Sequence, residues 1–134
     1  MATIKAYTDL EQSKTLANIL PLESSDMVYL RCDFEDEGKY SILVGSYHEG
    51  YTEREDGTII PVFDEHFPAW SLTALLNYLK SKNKFPDIKE LSDGRFKLTT
   101  FIWDGKKSFQ VFIANNLVDV CYKLVLKLHE CEML

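Results

Sequence analysis

Phe96-Lys97-Leu98-Thr99-Thr100-Phe101-Ile102-Trp103-Asp104-Gly105-Lys106-Lys107-Ser108-Phe109-Gln110-Val111-Phe112-Ile113 is the stretch that decides the fold class of this chain. Two runs rich in β-branched and aromatic residues flank Asp104-Gly105, a dipeptide suited to the positive φ angles of a two-residue type I′ turn. The spacing predicts a hairpin with arms Phe96–Trp103 and Lys106–Ile113 and with Trp103 opposite Lys106. That register sets Phe96 against Ile113, Leu98 against Val111 and Thr100 against Phe109. One face is then largely apolar, as a strand pair lying on helices requires. The other face carries Phe101, Trp103 and Phe112 beside Lys97, Lys106 and Lys107.

Downstream, Asn115 or Asn116 can cap a helix over 116–130. Leu117, Val120, Cys121, Leu124 and Leu128 share one face of it, and Tyr122 and Leu126 fall on the far side. An apolar far side reads as a second packing surface. Upstream, Ser92-Asp93-Gly94-Arg95 predicts a turn with a short strand near 88–91 before it. A helix over 71–82 has Ser71 as N-cap, Trp70 and Leu75 at staple positions, and Leu72, Leu75, Leu76 and Leu79 at helical spacing. Lys80, Lys82 and Lys84 gather at its end, where the helix dipole favours cations.

In the first half, Thr8 and Glu11 have capping-box spacing for a helix over about 9–20 that Pro21 ends. Met27–Phe34 and Tyr40–Tyr47 alternate and form a second hairpin. Residues 48–57 are polar and acidic, and Asp56-Gly57 marks a turn into a short strand from Thr58 to Phe63, placed at an edge by Pro61. Strands grouped between helices predict an α+β domain over residues 1–134, an antiparallel sheet packed by helices. Apolar groups on both sheet faces point to an α/β/α three-layer sandwich.

Composition bounds the function. Hydrophobic residues are 46% and charged residues 27%, the balance of a chain that folds on its own core. No apolar run is long enough for a membrane span, and the N-terminus has no signal-peptide h-region, so a cytoplasmic protein is expected. Three cysteines, Cys32, Cys121 and Cys131, form no C-x-x-C pair and predict neither a disulfide framework nor a zinc knuckle. The formal charge is −6, yet residues 1–66 carry 14 acids and 5 bases while residues 67–134 carry 7 acids and 10 bases. The overall sign argues against non-specific nucleic-acid binding; the basic half keeps a local version of it in play.

No phosphate loop, dinucleotide fingerprint or nucleophile elbow is present, and no cofactor is expected. Asp64-Glu65-His66, with His48 and Glu49 upstream, is the densest group of metal-type side chains. Its spacing matches no metal motif, and neighbours along a strand point to opposite faces, so it reads as a solvated loop. A metal-dependent hydrolase using Asp64 and His66 is the least supported reading.

Two segments carry a family resemblance. Pro68-Ala69-Trp70-Ser71-Leu72-Thr73-Ala74-Leu75-Leu76 opens a helix, and Phe109–Cys121 runs from an apolar strand through an Asn cap into a second helix. Together they resemble the phage ABA sandwich domain, a family of small phage and prophage proteins. Leu117 stands where the family commonly has proline, and residues 22–66 read as an insertion or a lineage-specific hairpin. The resemblance implies helices on both sides of a central antiparallel sheet and carries no catalytic residue. The leading expectation is a non-enzymatic phage or mobile-element accessory protein acting through protein contacts or self-association. Its interaction surface draws on Phe101, Trp103, Lys106, Phe112, Tyr122 and Leu126. The alternative is single-stranded nucleic acid stacked on the Lys/aromatic hairpin face.

Overall fold

A computed structural model describes residues 5–31, 39–48, 51–61, 65–103 and 105–134, with His48 and Pro61 described by backbone alone. It is an α+β fold of antiparallel sheets packed by helices, as the sequence predicts. The strands divide between two sheets, of five and three strands, instead of joining one central sheet. The chain forms two compact units, Tyr7–Ala74 and Leu75–Leu134 with Met1–Ala6.

In the first unit the sheet order is β4-β3-β2-β1-β5, with β1 Met27–Arg31, β2 Tyr40–His48, β3 Tyr51–Arg54, β4 Ile59–Pro61 and β5 Glu65–Ala69. All pairs are antiparallel, and the β1–β2 hairpin matches the expected one, with Leu30 opposite Ser41. The strand at 59–61 lies at the sheet edge, where Pro61 costs no ladder bond. Two strands are additional. Residues 51–54 pair with β2 despite their polarity, and residues 65–69 pair with β1 where the sequence predicts a solvated loop. Pro68 is tolerated in β5 because that strand is the other edge. Gly45 stands where β2 passes from pairing with β1 to pairing with β3, and a Cβ there would meet the Glu53 carbonyl oxygen at 2.2 Å.

Helix α1, Leu10–Ala17, packs on β5. Its N-cap is Asp9 and not Thr8. The Asp9 carboxylate accepts from Gln12 N–H at 2.8 Å and Gln12 Oε1 accepts from Asp9 N–H at 3.1 Å. Thr8 is spent elsewhere: fully buried, it shares a 2.7 Å hydrogen bond with Ser13 and bonds Trp70 in both directions through its amide and hydroxyl. Trp70 is also fully buried and donates from Nε1 to Ser24 Oγ at 2.9 Å.

Helix α2, Leu72–Ser81, has the expected cap, since Ser71 Oγ accepts from Ala74 N–H at 3.1 Å. Asp26 fixes the cap by accepting from both the amide and the hydroxyl of Ser71.

In the second unit the sheet order is β6-β7-β8, with β6 Asp87–Glu90, β7 Phe96–Trp103 and β8 Lys107–Ala114. Helix α3, Leu117–Glu130, packs against β7 and β8. Of the two candidate caps the structure uses Asn116, which accepts from Asp119 N–H at 2.8 Å and donates to the Asp119 carboxylate at 2.9 Å. Lys5 Nζ meets the same carboxylate at 2.9 Å.

The β7–β8 register differs from the expected one by a single residue. Trp103 pairs with Lys107, Phe101 with Phe109, Leu98 with Phe112 and Phe96 with Ala114. Lys106 is used in the connection, where Gly105 takes φ +73°, so every partner moves by one. Asp104, half of the expected type I′ pair, lies outside the described residues. A one-residue slip turns a whole strand over relative to its neighbour. Phe112 therefore moves to the α3 side with Leu98 and Ile102, and Phe109, Val111 and Ile113 come outward.

Candidate functional site: the outward face of the three-stranded sheet

Alternation along the three strands assigns the outward face. It carries Asp87 and Lys89 from β6, Lys97, Thr99, Phe101 and Trp103 from β7, and Lys107, Phe109, Val111 and Ile113 from β8. The opposite face holds Leu98 and Ile102, both fully buried, with Ala114 nearly so, on the side where α3 packs. Ser108 and Gln110 are half-buried on that side and satisfy each other: Gln110 Nε2 donates to Ser108 Oγ at 3.0 Å, and Ser108 Oγ to the Ile102 carbonyl at 3.3 Å.

The outward face is open. Phe101, Trp103 and Phe109 are 55%, 61% and 57% exposed, and Val111 and Ile113 are 47% and 36% exposed. Scattered apolar residues on a surface need no explanation, but five side chains adjoining across one strand pair form a contiguous patch. Phe101 and Phe109 are direct cross-strand partners with ring centroids 5.3 Å apart and edge-to-face. The Lys107 ammonium stands 4.6 Å over the Phe101 ring, a cation–π placement that holds a charge beside the patch. Lys89, Lys97, Thr99, Asp87 and Phe109 line a shallow depression of about 330 Å³ at the β6 side. The turn that enters β7 is rigidified by Asp93, whose carboxyl the Arg95 amide and guanidinium hold below the usual carboxylate range.

The six residues named from the sequence do not converge. Phe101 and Trp103 lie on the open face and Lys106 is exposed in the adjoining turn. Phe112 faces the helix side, a correction that follows from the register. Tyr122 and Leu126 are half-buried on α3, which packs on the opposite side of the sheet. Phe109, Val111 and Ile113 are the members of the site that the type I′ register concealed. Hydrophobic patterning in β8 pointed the other way, because Ser108 and Gln110 are polar residues of the parity the sheet turns inward.

Of the metal-type cluster, only Glu65 and His66 have described side chains. Glu65 and His66 project from opposite faces of β5: Glu65 accepts from the Tyr40 hydroxyl and lies 3.4 Å from Arg31, whereas His66 stacks on Tyr47 at 4.8 Å. Asp64 and Glu49, and the His48 side chain, lie outside the described residues. Among the described residues no three His, Cys, Asp or Glu side chains are grouped to hold a metal. Cys121 is fully buried and its thiol is pushed up to about 12 by burial, which makes it a core group and a poor nucleophile. No described helix is long and apolar enough to cross a membrane.

Compared with protein-family models, curated proteins and solved structures, the chain matches none of them.

Proposed function

We propose that the chain is a non-enzymatic binding module that engages a partner protein through the open face of the β6–β8 sheet. The observation that carries this reading is the row Phe101, Trp103 and Phe109, each more than half exposed on a sheet whose other side is packed by α3. An apolar centre with a charged rim is the surface composition of a protein interface. Trp is among the residues that dominate binding energy when such a patch is covered. The resemblance of residues 68–76 and 109–121 to the phage family suggests a phage or mobile-element accessory protein as the setting. A cytoplasmic location suits a chain whose Cys121 is a buried free thiol.

Single-stranded nucleic acid is the second reading, favoured by Lys97, Lys106 and Lys107 beside the aromatics. Base stacking needs free ring faces. Phe101 is packed edge-to-face with Phe109 and capped by Lys107, which leaves Trp103 as the exposed platform.

The test places a photo-cross-linking residue at Phe101, with Glu130 as the control position, in lysate of the source cell. The cross-linked protein is then purified and titrated against the native chain and the Phe101→Ser/Phe109→Ser variant. A protein captured at Phe101 alone, with the variant weakened by about tenfold or more, is expected. Equal capture at Glu130 overturns the reading. Salt-dependent oligothymidylate binding that Trp103→Ala removes would put nucleic acid in its place.

A further inference from the structure

The strand β8 is an edge, and its ladder geometry fixes which backbone groups it shows. At the β6–β7 turn Leu91 N–H donates to the Arg95 carbonyl at 2.7 Å. Lys89–Lys97 and Asp87–Thr99 continue that pairing. The odd-numbered residues of β7 therefore turn their backbone toward β6 and the even-numbered ones toward β8. On β8 the partners of those even residues are Ser108, Gln110, Phe112 and Ala114. Lys107, Phe109, Val111 and Ile113 are left with N–H and C=O pointing off the sheet. Independent support comes from α3: Lys123 Nζ donates to the Ile113 carbonyl at 2.7 Å, which is possible only if that carbonyl faces outward.

The two edges of this sheet are treated differently. The β6 edge is four residues long with Asp87, Lys89 and Glu90 on it, the short charged form that discourages pairing. The β8 edge is eight residues long, with Phe109, Val111 and Ile113 on its open side. Within β8 the one charged side chain is Lys107 at its start, and at the other end Lys123 of α3 reaches Ile113. Six residue rises separate Lys107 from Ile113, about 20 Å of open strand between cations.

We propose that β8 accepts an extended segment of the partner protein as a fourth strand, one with carboxylates at both ends of an apolar, β-branched stretch, set beside Lys107 and Lys123. The inference rests on the protein-partner reading above and names the chemistry of the partner. Charge selects this occupant. A second copy of this chain paired two-fold about Gln110 would bring each Lys107 beside the other copy's Lys123, like charges at both ends of the new ladder. A nucleic-acid strand offers no N–H donors at the two-residue period the edge requires. An acidic extended segment meets both conditions, with main-chain bonds supplying affinity and the end charges fixing register.

The test uses the full chain, labelled for NMR, with the blocked peptide Glu-Val-Thr-Val-Thr-Val-Glu and its counterpart ending in Lys at both ends. At low salt the Glu-ended peptide is expected to slow exchange of the Phe109 and Val111 amides by about tenfold or more, and the Lys-ended peptide to leave them unchanged. In the Lys107→Glu/Lys123→Glu variant the preference inverts. Val111→Pro removes an edge N–H that the ladder does not use, so that variant folds and loses the protection. Equal effects of the two peptides, or no protection at millimolar peptide, overturn the proposal. Concentration-dependent protection without peptide overturns it in favour of a second copy. A cross-linked partner that contacts Phe101 and leaves the Phe109 and Val111 amides exchanging overturns strand addition while the face reading stands. Absence of any partner at Phe101 removes both.

Discussion

Phe101 and Phe109 sit directly opposite each other across the β7–β8 ladder, edge-to-face at 5.3 Å, with both rings more than half in solvent. They are a non-hydrogen-bonded pair, the arrangement in which cross-strand side chains approach most closely. A double-mutant cycle of Phe101→Ala and Phe109→Ala by urea unfolding is expected to give a coupling near the low end of about 0.5–1.5 kcal/mol, because solvent already bathes both rings. The same pairing predicts Hα–Hα NOEs for Phe101–Phe109 and Thr99–Val111. NOEs for Thr100–Phe109 instead would restore the type I′ register.

Gly45 is expected to be intolerant of any side chain. A Cβ 2.2 Å from the Glu53 carbonyl oxygen must push one backbone away from another, and no rotamer relieves it. Gly45→Ala should cost about 1–3 kcal/mol in urea unfolding, the range for overpacking. Amide exchange should accelerate first in β3, whose pairing with β2 starts at Gly45–Arg54. Unchanged stability would show that the β2–β3 approach is looser than described.

His66 links stability to pH. Its Nε2 is buried without a hydrogen-bond partner and burial holds its pKa below the usual 6.5. The unfolded chain therefore takes up a proton that the folded chain resists. The contribution of His66 is complete above pH 6.5 and is lost as pH falls through 6.5 toward the lower folded value. Urea midpoints measured from pH 7.5 to 5.5 should decline, and His66→Phe, which keeps a ring on Tyr47, should flatten the decline. A wild-type curve that rises over this range would mean the folded imidazole gains a partner on protonation.

Ser71 and Asp26 act as one cap. Ser71→Ala should cost about 1 kcal/mol by removing the acceptor for the Ala74 amide. Asp26→Ala leaves the Ser71 amide without its acceptor and should cost about 1–3 kcal/mol. Because both changes loosen the same α2 terminus, the double variant should cost less than the two together, measured by thermal unfolding. Strict additivity would show that the two groups stabilise different elements.

Helix positions were legible because their signals are local. Ser71 and Asn116 cap by the rule that selects them, and apolar spacing over 72–79 and 117–128 needs no partner to be read. The Asp9 cap was missed by one residue because Thr8-x-x-Glu11 and Asp9-x-x-Gln12 carry the same local signal. What separates them is tertiary: Thr8 is drawn into bonds with Trp70, 62 positions away. Strands β3 and β5 were illegible for the same kind of reason. Thr52-Glu53-Arg54 and Glu65-His66 look solvated, and they become strands because β2 and β1 offer them open edges. The hairpin was legible and its register was not. Apolar residues occupy both parities of β8, so burial could not choose a face from that strand alone, and one extra loop residue decided the membership of the site.

Trp70 and Trp103 are the only two tryptophans, one in each compact unit, and their surroundings are opposite. The Trp70 indole is sealed and hydrogen-bonded to Ser24, whereas Trp103 is 61% exposed on the open face. The molecule thus carries its own two-channel optical probe. Emission from Trp103 lies to the red and is open to iodide quenching; emission from Trp70 lies to the blue and is shielded. A ligand covering the β7–β8 face would cut the quenchable fraction and leave the blue component fixed, while loss of packing around Trp70 would move the blue component to the red. Trp103→Phe would then leave Trp70 as the single reporter, reading the packing around its own indole.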